Sequence, residues 1–116
     1  MHILIIEDNE TDYLLLLRQV KKTLGDAECS RAENRAEVQN MLTQSWDLII
    51  TDFHLPDIEE YELLNTIAAA QEKTPCVVLS GSASNIKSIP MPSNVFDCIE
   101  KGDRSALEAA LMSNWR

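Results

Sequence analysis

An open, doubly wound α/β fold, a parallel sheet with helices packed on both faces, is what this sequence predicts, and three observations predict it. Short apolar runs such as His2–Ile6, Asp47–Thr51 and Pro75–Leu79 lack polar alternation, as strands buried on both faces do. Between them lie stretches with helical periodicity and capping residues at their starts. The two kinds of segment alternate along the whole chain, and strand–helix–strand alternation builds a parallel sheet with right-handed crossovers.

Each element follows from local chemistry. His2-Ile3-Leu4-Ile5-Ile6 is the first strand, and Asn9 caps a helix whose first turn is acidic and whose stripe is Tyr13, Leu17, Val20 and Leu24. Gly25 ends that helix. Glu28–Ala32 is the weakest strand reading, having no aliphatic run. Asn34-Arg35-Ala36-Glu37 has capping-box spacing, with Val38, Met41 and Leu42 facing inward. Asp47–Thr51 is the third strand, and after Leu55-Pro56-Asp57 a third helix turns Tyr61, Leu64, Ile67 and Ala68 to one side. Pro75–Leu79 is the fourth strand. A helix belongs between Ser82 and Asn94, but Pro90 and Pro92 hold it to about two turns, so this fourth helix is expected to be short or irregular. Phe96–Glu100 is the fifth strand. Ser105-Ala106-Leu107-Glu108 opens a last helix with Leu107, Ala110 and Leu111 inside.

The chain is expected to be one domain over residues 1–116. With 19 acidic against 10 basic residues its formal charge is -9, which disfavours direct nucleic-acid binding and anionic membrane surfaces and suits a divalent cation or a basic partner. Cys29, Cys76 and Cys98 show neither disulfide nor zinc spacing, and Cys98 reads as a small core residue. No apolar run reaches the roughly 20 residues of a membrane span, and acids follow the first strand at once, unlike a signal peptide. A cytoplasmic location is expected.

Ligands of open parallel sheets bind at the carboxyl ends of the strands. Those ends carry Glu7 and Asp8, Asp52, Ser80 and Lys101. Singly each reads as a solvated loop acid, a turn hydroxyl or a surface lysine; together they meet at one rim. Asp8 and Asp52 suit Mg²⁺, which takes one or two carboxylates and keeps several waters, with Glu7 holding a water or ligating weakly. Asp52 is placed to attack a phosphoryl donor, while Lys101 and the Ser80 hydroxyl neutralise the transferred oxygens.

These residues resemble the quintet of the response-regulator receiver domain of two-component signalling. The matching stretches are Ile3–Asn9, Asp47–Asp57, Val78–Gly81 and Asp97–Gly102, in order along essentially the whole chain. The resemblance implies a flavodoxin-like five-stranded sheet of order 2-1-3-4-5. It implies Asp52 as phosphoacceptor, and Glu7, Asp8, Asp52 and the His54 backbone carbonyl as holders of Mg²⁺. Ser80 then matches the switch hydroxyl, Gly81 the small residue beside it, and Lys101 the phosphate-pairing lysine. The side chains of His54 and Ser82 stand where relatives tune hydrolysis. It further implies a histidine kinase or phosphotransfer protein as donor and an output protein or domain as reader. Such a domain is a switch that catalyses only its own phosphorylation and dephosphorylation.

The sequence departs from that pattern at four places. Cys98 stands where relatives carry the switch aromatic, Gly102 where they carry proline, Glu60 where a glycine is usual, and the fourth helix is proline-broken. An alternative of another class is therefore a pseudo-receiver, a docking module independent of phosphorylation. A phosphohydrolase on a related fold uses a second aspartate two residues past the nucleophile; here that place holds His54.

Overall fold

The computed structural model describes residues 1–81 and 90–115. Five strands, β1 (His2–Ile6), β2 (Glu28–Ala32), β3 (Leu48–Asp52), β4 (Cys76–Ser80) and β5 (Val95–Glu100), form one sheet of order β2-β1-β3-β4-β5. All four pairings are parallel. Among the described residues the helices are α1 (Glu10–Leu24), α2 (Arg35–Met41), α3 (Glu60–Ala70) and α4 (Arg104–Leu111). The expected proline-limited helix falls mainly on residues 82–89, outside the described residues; residues 90–94 after them are non-helical.

Two cores follow from period-two alternation in the strands. Leu4, Ile6, Ile49 and Val78 meet Val38, Leu63, Leu64 and Ile67 of α2 and α3 on one face. Ile3, Ile5, Ile50 and Leu79 meet Val20 of α1 and Leu107, Ala110 and Leu111 of α4 on the other. The central strands β3 and β4 are buried along their whole length, whereas the edge strands are partly exposed. Cys76 lies in that interior, and burial pushes its thiol up to about 12, which makes it inert as a nucleophile. Among the described residues no helix is long and apolar enough to cross a membrane.

Several local expectations shift. The third and fourth strands each run one residue later than their apolar runs, because the backbone ladder continues through Asp52 and Ser80. The fifth starts one residue earlier, at Val95, where the register to β4 slips. In α3 the inward stripe is Leu63, Leu64 and Ile67, and Tyr61 is exposed, its ring edge-on to Phe53 at 6.3 Å. Two adjacent buried leucines turn the helix away from the phase that Tyr61 suggested. The α2 box closes one residue early: Asn34 accepts from the Glu37 amide, while Glu37 accepts from the Glu33 amide at 3.0 Å. The last helix is capped by Asp103, whose carboxylate accepts from the Ala106 amide at 3.0 Å, leaving Ser105 inside the helix.

Candidate functional site

The carboxyl rim is fixed by main-chain bonds that extend past the strands. The Glu7 amide donates to the Ala32 carbonyl at 3.0 Å, Phe53 to Leu79 at 2.7 Å, and Lys101 to Ser80 at 2.7 Å. The ladder thus holds the backbone at Glu7, Asp52 and Lys101 in register with neighbouring strands. Gly102 follows at φ 93, a conformation that costs an L side chain dearly, and it turns the chain from β5 into α4 directly after Lys101. Gly102→Ala is expected to lower the unfolding free energy by about 1 kcal/mol, read from urea denaturation, because the turn has no unstrained substitute.

Lys101 is the hub. Its Nζ lies 3.0 Å from Asp52 Oδ2, 3.1 Å from both Glu7 oxygens and 3.0 Å from Asp12 Oδ2. Partial burial pulls the ammonium down, but the hydrogen bonds it donates to Asp12, Asp52 and Glu7 outweigh it and leave its pKa raised. Glu7 is wholly buried. Desolvation, and after it the charge of Asp52, push its carboxyl from 4.5 to about 7, against the pull of Lys101 and of the Asn9 amide.

Asp52 is 7% exposed, and its Oδ1 accepts from the His54 amide at 3.2 Å. The His54 ring points elsewhere, 3.2 Å from Glu60. Ser80 is buried at the end of β4, and Gly81 is an exposed turn residue where an added Cβ meets nothing within 4 Å. Cys98 is half-buried against the α2–α3 core, the placement of a small apolar residue. Ser82 lies outside the described residues.

Oxygens of Glu7, Asp8 and Asp52 come within 4.8 Å of one another. The donor set is all hard oxygen, and Glu7 Oε2, though 3.1 Å from Lys101, accepts no hydrogen bond in its buried position. A small divalent cation fits both features: it takes carboxylate oxygens and offsets the Asp52 charge that, after burial, raises Glu7.

Two site residues escape sequence reasoning. Asp12 looks like an ordinary first-turn acid; counting from the Asn9 cap places it on the third helical position, whose side chain leans back over the rim. Arg31 sits on the edge strand β2. Its Nε donates to the Glu7 carbonyl and its Nη2 to the Asp8 carbonyl, each at 3.0 Å. Across the rim, Arg35 at the start of α2 braces the loop after Asp52: its amide donates to the Asp57 carboxylate and its guanidinium to the Asp57 carbonyl and Glu62.

An open α/β sheet with acids and one lysine gathered at its carboxyl rim defines an α/β domain of the doubly wound class with an acidic cluster that could hold a cation. The response regulator receiver domain pattern matches residues 3–112, and the chain belongs to that family of signalling domains from two-component systems. Among curated proteins it is 25% identical over 85 residues to the two-component response regulator ARR2 of Arabidopsis thaliana, and 29% identical over 89 residues to the virulence sensor protein BvgS of Bordetella pertussis. Each match covers 72% of this chain but only 13% and 7% of those proteins. Among solved structures, the response regulator TrrA of Thermotoga maritima, in complex with Mg(2+)-BeF, superposes with a TM-score of 0.80 at 20% identity, covering 95% of both chains. A sensor protein from Polaromonas sp. JS666 gives 0.81 at 22% identity, covering 95% of this chain and 91% of its own.

Proposed function

We propose that residues 1–116 form a phospho-accepting receiver in which Asp52 takes a phosphoryl group from a histidine kinase or phosphotransfer protein. The observation that carries this reading is the Lys101 ammonium 3.0 Å from Asp52 at a rim that also gathers Glu7 and Asp8. Glu7, Asp8, Asp52 and the His54 carbonyl would hold Mg²⁺, which when bound supplies charge neutralisation of the phosphoryl oxygens. A carboxylate oxygen of Asp52 attacks phosphorus as the P–N bond of the phosphohistidine breaks. The departing imidazole nitrogen takes a proton and Asp52 becomes an acyl phosphate. Lys101 exchanges a carboxylate partner for a phosphoryl oxygen, and the Ser80 hydroxyl donates to another. Water attack on phosphorus later restores the carboxylate and releases inorganic phosphate.

The new contacts of Ser80 and Lys101 alter the surface around β4 and β5, which an output protein or domain reads. With the half-buried Cys98 packed against the core, no aromatic rotates at that position, so the change is carried by the hydroxyl and the lysine. We place the chain in the cytoplasm, where donor kinases act and thiols stay reduced.

Incubation with acetyl phosphate and Mg²⁺ is expected to add one phosphoryl mass in intact-mass spectrometry, and EDTA to prevent it. A folded protein that takes up nothing, yet captures its partner regardless of donor, would establish the phosphorylation-independent docking module that Cys98 favours.

A further inference from the structure

The Asp8 carboxylate is exposed and, among the described residues, makes no hydrogen bond or ion pair of its own. Its place at the rim is therefore set by its backbone, and one side chain grips that backbone. Arg31 is paired in register with Ile5 on β1, so its side chain runs forward along the sheet edge towards the turn after Ile6. There its guanidinium fork takes two consecutive carbonyls, those of Glu7 and Asp8, at 3.0 Å each. The fork is itself held by two further contacts and by burial. The Tyr13 ring lies 5.0 Å below it, Glu33 lies 3.1 Å from Nη2, and the side chain is only 21% exposed. A planar guanidinium suits two adjacent acceptors, whereas a lysine ammonium is a single point charge on a flexible stem.

We propose that Arg31 is a positioning residue for the divalent cation, an inference that rests on the receiver reading above. By turning the Glu7 and Asp8 carbonyls outward to β2, it fixes the two peptide planes that carry the acid pair and presents both carboxylates to the rim. Outer partners of this kind typically govern cation affinity by about tenfold or more.

Two explanations of Arg31 give opposite signs. If it acted only through its charge, removing it would relieve repulsion and tighten cation binding. If it acts by position, removing it weakens binding.

Mg²⁺ affinity is to be measured by calorimetry on wild type, Arg31→Gln, Arg31→Lys and Arg18→Gln, the last removing the same charge from an exposed face of α1. Both Arg31 variants are expected to bind about tenfold more weakly, with Arg18→Gln unchanged. In the cation-free protein, amide exchange at Asp8 and Asn9 is expected to quicken in both Arg31 variants while β3 and β4 keep their protection. Tighter binding by Arg31→Gln, or wild-type affinity and exchange in Arg31→Lys, overturns the proposal. Wild type that binds no cation overturns the receiver reading as well, so the two failures are told apart. If Arg31→Gln does not fold, Arg31→Lys carries the comparison.

Discussion

Asp52→Asn is expected to abolish phosphoryl uptake, with no adduct in intact-mass spectrometry under conditions expected to modify wild type. The substitution removes the nucleophilic oxygen charge while keeping the volume and an acceptor for the His54 amide, which now bonds Oδ1 at 3.2 Å. Three of the contacts that hold Lys101 survive, those to Asp12 and to the two Glu7 oxygens, so the rim keeps its shape. Stability is expected to hold or rise, since a carboxylate beside buried Glu7 is gone. A base-labile phosphate retained at wild-type level on this variant would place the acceptor on another rim acid and undo the assignment. Loss of uptake together with loss of folding would not count, and a thermal melt on the same sample separates the two.

Glu7→Gln is expected to produce the second large effect, in the opposite direction from its expected effect on cation binding. In the folded chain Glu7 titrates near 7 instead of 4.5, so between those values the native state holds a proton that the unfolded state has released. Stability therefore falls as pH rises through this window, and the loss is complete above the folded value. The shift corresponds to roughly 3 kcal/mol at 1.36 kcal/mol for each unit. In EDTA, wild type should lose stability between about pH 5 and pH 8, while Glu7→Gln, which has no proton to lose, should show no such slope from this site. At the upper end the variant is expected to be the more stable protein and to bind Mg²⁺ more weakly, a trade between folding and function at one carboxyl. Urea denaturation across that range decides it: parallel curves for the two proteins would mean that Glu7 is not the titrating group. Mg²⁺ added to wild type at the upper end is expected to restore stability in proportion to the logarithm of its concentration.

The parts of this architecture that were legible in the sequence are those where composition alone forces the outcome. The aliphatic runs around Ile3–Ile6 and Leu48–Ile50 have nowhere to go but a buried sheet, and a parallel sheet brings Glu7, Asp52, Ser80 and Lys101 to one edge. What stayed hidden depends on angular phase and on reach. Whether Tyr61 or Leu63 faces inward is decided by a rotation of α3 that two adjacent leucines settle through packing. Asp103 displaces Ser105 as cap because the turn at Gly102 leaves Asp103 extended just ahead of the helix, which only backbone geometry reveals. Arg31 lies 24 residues from Glu7, and a lone arginine in the least apolar strand carries no periodic signal. The members missed at the site are thus long or phase-dependent side chains, while those found stand at strand ends.

Lys101 is surrounded by carboxylates that outnumber it, in a chain whose formal charge is already -9. A small anion diffusing towards Asp52 must therefore climb an adverse electric potential, felt over a Debye length of about 8 Å at physiological ionic strength. A phosphoryl group delivered on a positively charged protein surface meets the reverse slope, because the carrier is drawn in as its cargo is repelled. On the receiver reading proposed above, this acidic rim favours a donor carried on a positively charged macromolecule over a small free anion.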